Sequence, residues 1–385
     1  MHQLFFQEEH DLFRSTLRDF FKMEVSPFIN EWEAQGKVDR ALLRKMGEMG
    51  FLGLEVDEKY GGMGLDFMYS TILCEEMGRL GSLGFHTVIG AHSYLAMNYL
   101  IHAGSLAIKE KYLAPSVTGE IIGSLSMTEP FAGSDLKSIR TTAKLDGDHY
   151  IVNGSKTFIS NGYYGDYTVA AVKTEAGISM LVIDLETEGV SRTKLDKVGI
   201  RCSDTAEIAF DHVRVPKEHL LGEEGRGFYY MMESLQVERL TGVQCTIGLM
   251  QYVLDITLQY ISERTAFGKP ISQFQALRHQ IAEMASDMEA YKAFTYQTSY
   301  RLAKGENVVK ECSMLKLKTA DLMNEMVYKC QQMFGGYGFM EEFPIGRLYR
   351  DIRVLSIYGG TSEIMKEVIA KMVIDNKTYQ PVYKK

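Results

Sequence analysis

Apolar residues along the N-terminal part of the chain recur at the spacing of a helix face. Leu4, Phe5, Leu12, Phe13, Leu17, Phe20 and Phe21 form one such series, and Pro27 ends it. Further helices are predicted from Arg40, Met68 and Leu95, punctuated by glycine. From about residue 121 to 222 the pattern shortens to strands. Y-I-V-N-G-S-K-T-F-I-S-N-G (150–162) holds two Asn-Gly pairs between β-branched and aromatic residues, which predicts hairpin turns. Y-T-V-A-A-V, I-S-M-L-V-I-D-L and A-E-I-A-F-D-H-V-R-V-P are further strands, and the short turns predict antiparallel pairing. Helical periodicity returns near 226–263, 272–304, 307–334 and 362–374. The expected domains are N-terminal helices over 1–120, a central β domain over 121–224 and a C-terminal helical bundle over 225–385. That α+β order excludes a doubly wound nucleotide fold, and no G-x-G-x-x-G follows a strand.

A chain of 385 residues, 45% hydrophobic and 24% charged, is long enough for a large core and two or three domains. The formal net charge of −8 and the lack of a long basic run argue against nucleic acid as a partner. No stretch reaches the roughly 20 apolar residues of a membrane span. The N-terminal M-H-Q-L-F-F-Q-E-E-H-D-L-F-R shows neither a secretory nor a transit peptide, so a cytoplasmic setting is expected. The five cysteines are scattered and read as buried small hydrophobes. The histidines show no metal-ligand spacing.

In the predicted helix near 226–263, one stripe runs Met231, Leu235, Glu238, Gly242, Cys245, Leu249, Tyr252, Ile256. Glu238 is its single charge. A carboxylate on an apolar stripe is either paired, with Arg239 or another helix, or is a general base made more basic by desolvation. Thr128, Ser134 and the backbone around Gly133, beside Met127, suit a large polar aromatic ligand or form an ordinary turn. Arg264, in S-E-R-T-A-F-G-K-P-I-S-Q-F-Q, could hold a phosphate, and Q-Q-M-F-G-G-Y-G-F (331–339) ends a helix at glycines. Finally, R-D-I-R-V-L-S-I-Y-G-G-T-S-E-I-M-K-E (350–367) reads as a strand-like run, a glycine loop and a helix capped by Thr361 or Ser362. Such a loop could border a ligand, yet it carries no acid or base between Asp351 and Glu363.

S-M-T-E-P-F-A-G-S-D, K-T-F-I-S-N-G, E-R-T-A-F-G-K-P-I, F-G-G-Y-G and Y-G-G-T-S-E-I together resemble the acyl-CoA dehydrogenase family, in order and spacing over nearly the whole chain. The resemblance implies N-terminal helices, a central antiparallel β-barrel domain, a C-terminal four-helix bundle and bound FAD. By position, Met127, Thr128, Gly133 and Ser134 would lie along the flavin and its phosphates, with Phe158 and Ser160 at its other edge. Arg264, Phe267, Phe274, Gln275, Gln332 and Gly336 would hold the adenosine diphosphate part across a subunit interface, and Thr361 and Glu363 would also receive FAD. Ser134, Gln236, Arg239, Tyr358, Gly359 and Gly360 would contact the acyl-CoA.

The family reaction removes the α-proton of an acyl-CoA while the β-hydride moves to flavin N5. The developing thioester oxyanion is stabilised partly by a backbone N–H of the Y-x-G-T loop, here that of Gly359. The commonest pattern, Y-E-G-T, has the base where this chain has Gly359. Long-chain and isovaleryl-type members instead carry it on the first helix of the bundle in an E-R-L context, and V-E-R-L places Glu238 there. Glu129, Glu233 and Glu363 are the rival acids. Tyr358 resembles the straight-chain rather than the isovaleryl type. The implied partners are an electron-transfer flavoprotein and further copies of the chain in a homotetramer, in fatty acid β-oxidation. The alternatives are an acyl-CoA oxidase, a dehydrogenase of acyl-carrier-protein thioesters, or a non-catalytic acyl-CoA-binding relative.

Overall fold

The computed structural model describes residues 2–378; of the expected domain spans, residue 1 and residues 379–385 lie outside the described residues. In the helix Glu8–Glu24 the buried face runs His10, Arg14, Leu17, Phe21, one turn apart at each step. Leu12 lies on the opposite side of that helix, and both it and Leu4 are exposed, contrary to the expected stripe. A polar pair occupies part of this face, because Arg14 reaches across to Glu75 and Glu76. Helices Ile29–Gln35, Arg40–Glu48, Phe67–Gly78, Leu83–Gly90 and Met97–Ala103 complete the first layer, the last two joined by a π turn at Ala91–Ala96.

The central domain is an 8-stranded sheet. Its strands are β1 Gly123–Ser126, β2 Thr142–Asp146, β3 His149–Ser160, β4 Tyr167–Thr174, β5 Gly177–Asp184, β6 Val190–Lys194, β7 Thr205–Pro216 and β8 Leu220–Leu221. They run β6-β7-β3-β2-β4-β5-β8, with β1 beside β4. Two pairings differ from the all-antiparallel expectation: β1 and β2 each pair β4 in parallel. The intervening β2–β3 hairpin provides the crossover that a parallel β1–β4 pair requires.

Asn153-Gly154 is not a hairpin turn. It lies within β3, where the register against β7 shifts and Gly154 takes φ +146°, a β-bulge. Asn153 Oδ1 accepts the His212 N–H across that bulge at 2.9 Å. The turn between β2 and β3 is instead Asp146-Gly147-Asp148, with Gly147 at φ +63°. Asn161, of the second Asn-Gly pair, does leave the strand at φ +57°, and its amide donates to the Val88 carbonyl. That bond ties the sheet to the helix Leu83–Gly90.

The C-terminal part packs the long helix Gly227–Glu263 with Gln275–Ala303, Val309–Phe334, Pro344–Asp351 and Ser362–Val373. The strand-like run at 350–357 is a correction: residues 350–351 end the helix Pro344–Asp351, and Ile352–Ser356 is a 3₁₀ turn. Ile345, Leu348, Ile352 and Leu355 are buried at helical spacing, so the apolar positions around the run follow a helix face rather than a pleat. One apolar cluster fills this bundle; another joins the N-terminal helices, the sheet and the start of the long helix. Among the described residues no helix is long and apolar enough to cross a membrane, and the five cysteines are free and buried.

Candidate active site

Glu238 stands in the N-terminal half of the long helix, a turn beyond buried Ser234 and Leu235 and a turn before buried Thr241. The residue retains some exposed surface, but Oε1 is enclosed and has no hydrogen-bond partner among the described residues. Burial raises its carboxyl to about 7, against the pull of neighbouring Arg239. The salt-bridge reading of this stripe position is therefore not what the structure shows. Gln236 points elsewhere on the helix: its Oε1 accepts the Val308 N–H at 3.1 Å and its Nε2 donates to the Glu233 carbonyl at 3.5 Å.

Arg239 links this helix to the glycine loop. Its Nε donates to the Gly359 carbonyl at 3.1 Å. The next carbonyl, that of Gly360, accepts from Lys316 on the helix Val309–Phe334. Gly359 and Gly360 have φ of +62° and +94°, a left-handed pair that glycine adopts without strain. Two cations on two helices thus fix consecutive peptide planes of a loop that has no stiffening side chain of its own. Thr361 caps the following helix by accepting the Ile364 N–H at 3.3 Å, and Tyr358 packs onto the bundle core.

Lys316 was not singled out from the sequence, although a signal was present. It shares a buried helical stripe with Cys312, Thr319 and Met323, and it is the charge on that stripe. Burial and neighbouring Arg239 lower its ammonium to about 8.

The rival acids differ from Glu238 in their surroundings. Glu129 accepts from Lys156 Nζ at 2.8 Å, the Thr141 N–H at 3.0 Å and the Arg140 N–H at 2.5 Å. Burial alone would raise it, yet these bonds hold it below the ordinary carboxylate range. Glu363 is exposed at the helix start, where its own backbone N–H and Thr361 hold it below that range. Glu233 is partly buried on the long helix, off the stripe.

The residues expected around a flavin fall into two clusters. In the first, the Thr157 N–H donates to the Thr128 carbonyl at 2.9 Å and Lys156 Nζ to the Met127 carbonyl at 3.2 Å. Met127 and Thr128 are thereby set beside Lys156 and Thr157, the residues that lead into Phe158 and Ser160 on β3. Phe158 is 69% exposed at φ +60°, and Gly133, beside exposed Ser134, has open space where a Cβ would stand. In the second, a two-strand turn presents Arg264 and Phe267, with the Phe267 ring 6.1 Å from that of Phe274 and Gln275 starting the next helix. Tyr260 stacks on Phe334 at 4.3 Å, which sets this turn at the end of the bundle that also carries Gln332 and Gly336. Arg264, Phe267, Gln275, Gln332 and Gly336 are all exposed.

A cavity of about 80 Å³ lies between the N-terminal helices and the long helix, where Val237 forms part of its wall. Its lining includes Ser93, Tyr94, Met97, Asn98 and Ile101 of the S-Y-L-A-M-N-Y-L-I segment (93–101), which by the family resemblance corresponds to helices that shape the acyl pocket.

Three family models match the chain: the acyl-CoA dehydrogenase N-terminal domain over residues 7–120, the middle domain over 124–213 and the C-terminal domain over 225–374. The long-chain specific acyl-CoA dehydrogenase of Mus musculus mitochondria is 38% identical, over 96% of this chain and 88% of the relative. The caffeyl-CoA reductase–Etf complex subunit CarC of Acetobacterium woodii is 37% identical, over 96% of this chain and all of the relative, 100%. The solved structure of an acyl-CoA dehydrogenase from Geobacillus kaustophilus superposes with a TM-score of 0.94 at 43% identity, covering 96% of this chain and 99% of that one.

Proposed function

The chain belongs to the acyl-CoA dehydrogenase family, and from that premise we propose that it oxidises an acyl-CoA thioester to the trans-2-enoyl-CoA with Glu238 as the base. Members of this family are FAD-dependent flavoproteins. The residues present fit FAD: an exposed Phe158 beside Met127 and Thr128 offers a flat apolar edge, and Gly133 and Gly336 leave room for close approach. Met127, Thr128, Gly133, Ser134, Phe158 and Ser160 would hold the ring and its phosphates, with Thr361 and Glu363 at the loop. Arg264, Phe267, Phe274, Gln275, Gln332 and Gly336 would hold the adenosine diphosphate. The chemistry that FAD supplies when bound is acceptance of a hydride from the β-carbon.

The chain's own part is deprotonation and charge stabilisation. Glu238 carries a carboxyl tuned to about 7, so near neutral pH it is both substantially ionised and a stronger base than an exposed glutamate. A bound acyl chain removes more water from it and strengthens it further. The Gly359 N–H donates to the thioester oxygen as negative charge develops there. Arg239 and Lys316, by holding the carbonyls of Gly359 and Gly360, keep that loop oriented without reorganisation during the reaction. Electrons then pass to an electron-transfer flavoprotein, and the chain works as a homotetramer in fatty acid β-oxidation. The relative named from an Etf complex supports the acceptor.

The observation that carries the reading is a carboxylate whose enclosed Oε1 has no hydrogen-bond partner among the described residues, on the helix whose next residue grips the loop. Anaerobic stopped flow of Glu238→Gln tests it: the yellow protein should retain FAD and bind acyl-CoA, while flavin bleaching nearly stops. Bleaching at the parental rate would transfer the role to another acid. Slow reoxidation by air marks a dehydrogenase, and fast reoxidation would make the enzyme an oxidase.

A further inference from the structure

From Leu240 to Met250 the long helix is buried at every position but one, Gly242. Gly242 lies four residues beyond Glu238 and three beyond Arg239, both of them partly exposed. Those spacings make neighbours on a helix surface, so the three border one opening in an otherwise covered stretch. Glycine inside a helix is unfavourable unless something requires it. Elsewhere on this helix the requirement is plain. A Cβ at Gly248 would run into the Glu75 carbonyl oxygen, so that glycine lets the helix Phe67–Gly78 cross at backbone contact. At Gly242 nothing lies within 4 Å of the Cβ position, and the φ is not left-handed. Neither close packing nor a turn calls for glycine there.

The glycine loop covers the same stretch. Arg239 donates to the Gly359 carbonyl at 3.1 Å. Tyr358 joins the apolar cluster that holds Cys245 and Leu249, the next residues of the stripe beyond Gly242. The Cys245 thiol adds to burial in raising the Tyr358 phenol. The loop is therefore tied to the helix on both sides of Gly242. Gly359, like Gly242, has open space at its Cβ position. Two glycines without close neighbours thus stand on the two walls of one cleft. Glu238 lies at one end of it, and fully buried Cys245 and Leu249 lie at the other.

We propose that Gly242 sets the width of the acyl site, which takes acyl groups carrying a ring or a branch beyond the β-carbon. The inference rests on the reading of Glu238 as the base, which Gly242 follows by one turn, or about 5.4 Å, along the same face. With the α-carbon held at Glu238, the carbons beyond the β-carbon come level with Gly242. Cys245, Leu249 and the Tyr358 ring make that end of the cleft apolar. A linear chain leaves the space beside Gly242 partly unfilled and forgoes apolar contact that a ring or a branch makes.

Matched acyl-CoA pairs of equal carbon number test this with the FAD-loaded enzyme. One pair sets 3-phenylpropanoyl against nonanoyl, the other 4-methylpentanoyl against hexanoyl, which separates a ring from a branch. Two readouts are taken: kcat/KM for anaerobic flavin bleaching, and the affinity of the corresponding 2-enoyl-CoA by titration calorimetry. In at least one pair the wide member should lead by on the order of 10- to 100-fold. Gly242→Leu refills the space and should bring that lead to unity or reverse it, and Gly242→Ala should reduce it in part. Gly242→Ala should also raise Tm, since the added methyl meets nothing and alanine is the better helix former. Should Gly242→Leu fail to fold, the wild-type lead and Gly242→Ala still decide the matter. A lead for the linear member in both pairs, or a Gly242→Leu protein that slows both members alike, would overturn the inference while leaving the dehydrogenase reading standing. A Gly242→Leu protein that folds but loses FAD would overturn it by giving the space to the flavin. Affinities that shift as expected without bleaching by any thioester would remove the dehydrogenase reading and uphold the role of Gly242.

Discussion

Glu129 and Glu238 are both glutamates held inside the protein, one on the β domain and one on the long helix, yet their environments push them in opposite directions. Glu129 is met by an ammonium and two backbone N–H groups, and these outweigh the cost of burial. Glu238 has an enclosed oxygen with no hydrogen-bond partner among the described residues, and its neighbour Arg239 donates to the loop. Burial by itself thus says little about the role of a carboxylate; the number of donors aimed at it decides whether it is structural or reactive. Lys156, fully buried, spans the Met127 carbonyl and Glu129 and so anchors the very segment expected to line the flavin. The one glutamate is tied into the β domain, and the other is the base proposed above.

The sharpest way to break this contrast is to neutralise each residue in turn. Glu238→Gln should lower the rate of flavin reduction by ~10²–10⁴-fold without destabilising the fold. The reverse signature is expected at the other site. Lys156→Met leaves Glu129 buried without its cation and should destabilise the fold by roughly 3–5 kcal/mol, read by urea unfolding. Adding Glu129→Gln to Lys156→Met should restore part of that loss. A Lys156→Met protein as stable as its parent would show that the pair is not the anchor described.

Titration should separate the two carboxylates as well. The rate of flavin reduction should rise as pH passes through about 7, because Glu238 must lose its proton to act. A folded-state value raised above the unfolded one means that the native state binds more protons than the unfolded state between about 4.5 and about 7. Stability owed to Glu238 therefore falls as pH rises across that window, and the Glu238→Gln protein should gain on its parent there. Glu129, held low, contributes stability above its unfolded value that is lost only as pH falls through its lower folded value. Unfolding curves of the two single variants against pH would show opposite slopes.

The smallest effect concerns the loop. Gly359 has open space where a Cβ would stand, so Gly359→Glu on the Glu238→Gln background should recover a fraction of the lost bleaching if both positions face the same α-carbon. The gain will be modest, because a side chain at φ +62° costs about 1–2 kcal/mol. A double variant as inactive as Glu238→Gln would show that the two positions do not serve one carbon.

Much of this was legible in the chain. A single charge on an apolar stripe of period 3.6 singles out Glu238 because helix geometry fixes which side chains share a face. Applied consistently, the same signal finds Lys316. Misreadings arose where local pattern competes with tertiary context. Asn153-Gly154 has the chemistry of a hairpin turn, but the bulge against His212 uses it inside a strand. The run at 350–357 alternates over so few residues that pleat and helix cannot be told apart without the buried Ile345 and Leu348 before it. Leu4 and Leu12 are apolar yet exposed, since the helix Glu8–Glu24 turns His10, Arg14 and Leu17 inward.

The bond from Arg239 to the Gly359 carbonyl also bears on how such a catalyst can diversify. The proposed base sits on the long helix, while the glycine loop lies on a distant stretch of chain, tied to Arg239 and Lys316 through its backbone carbonyls. Replacements at 358–360 would therefore reshape the loop without displacing Glu238, the base proposed above. The part that seats a thioester and the part proposed to take its proton are thus carried on separate segments, so a change in one can be made and measured with the other held fixed.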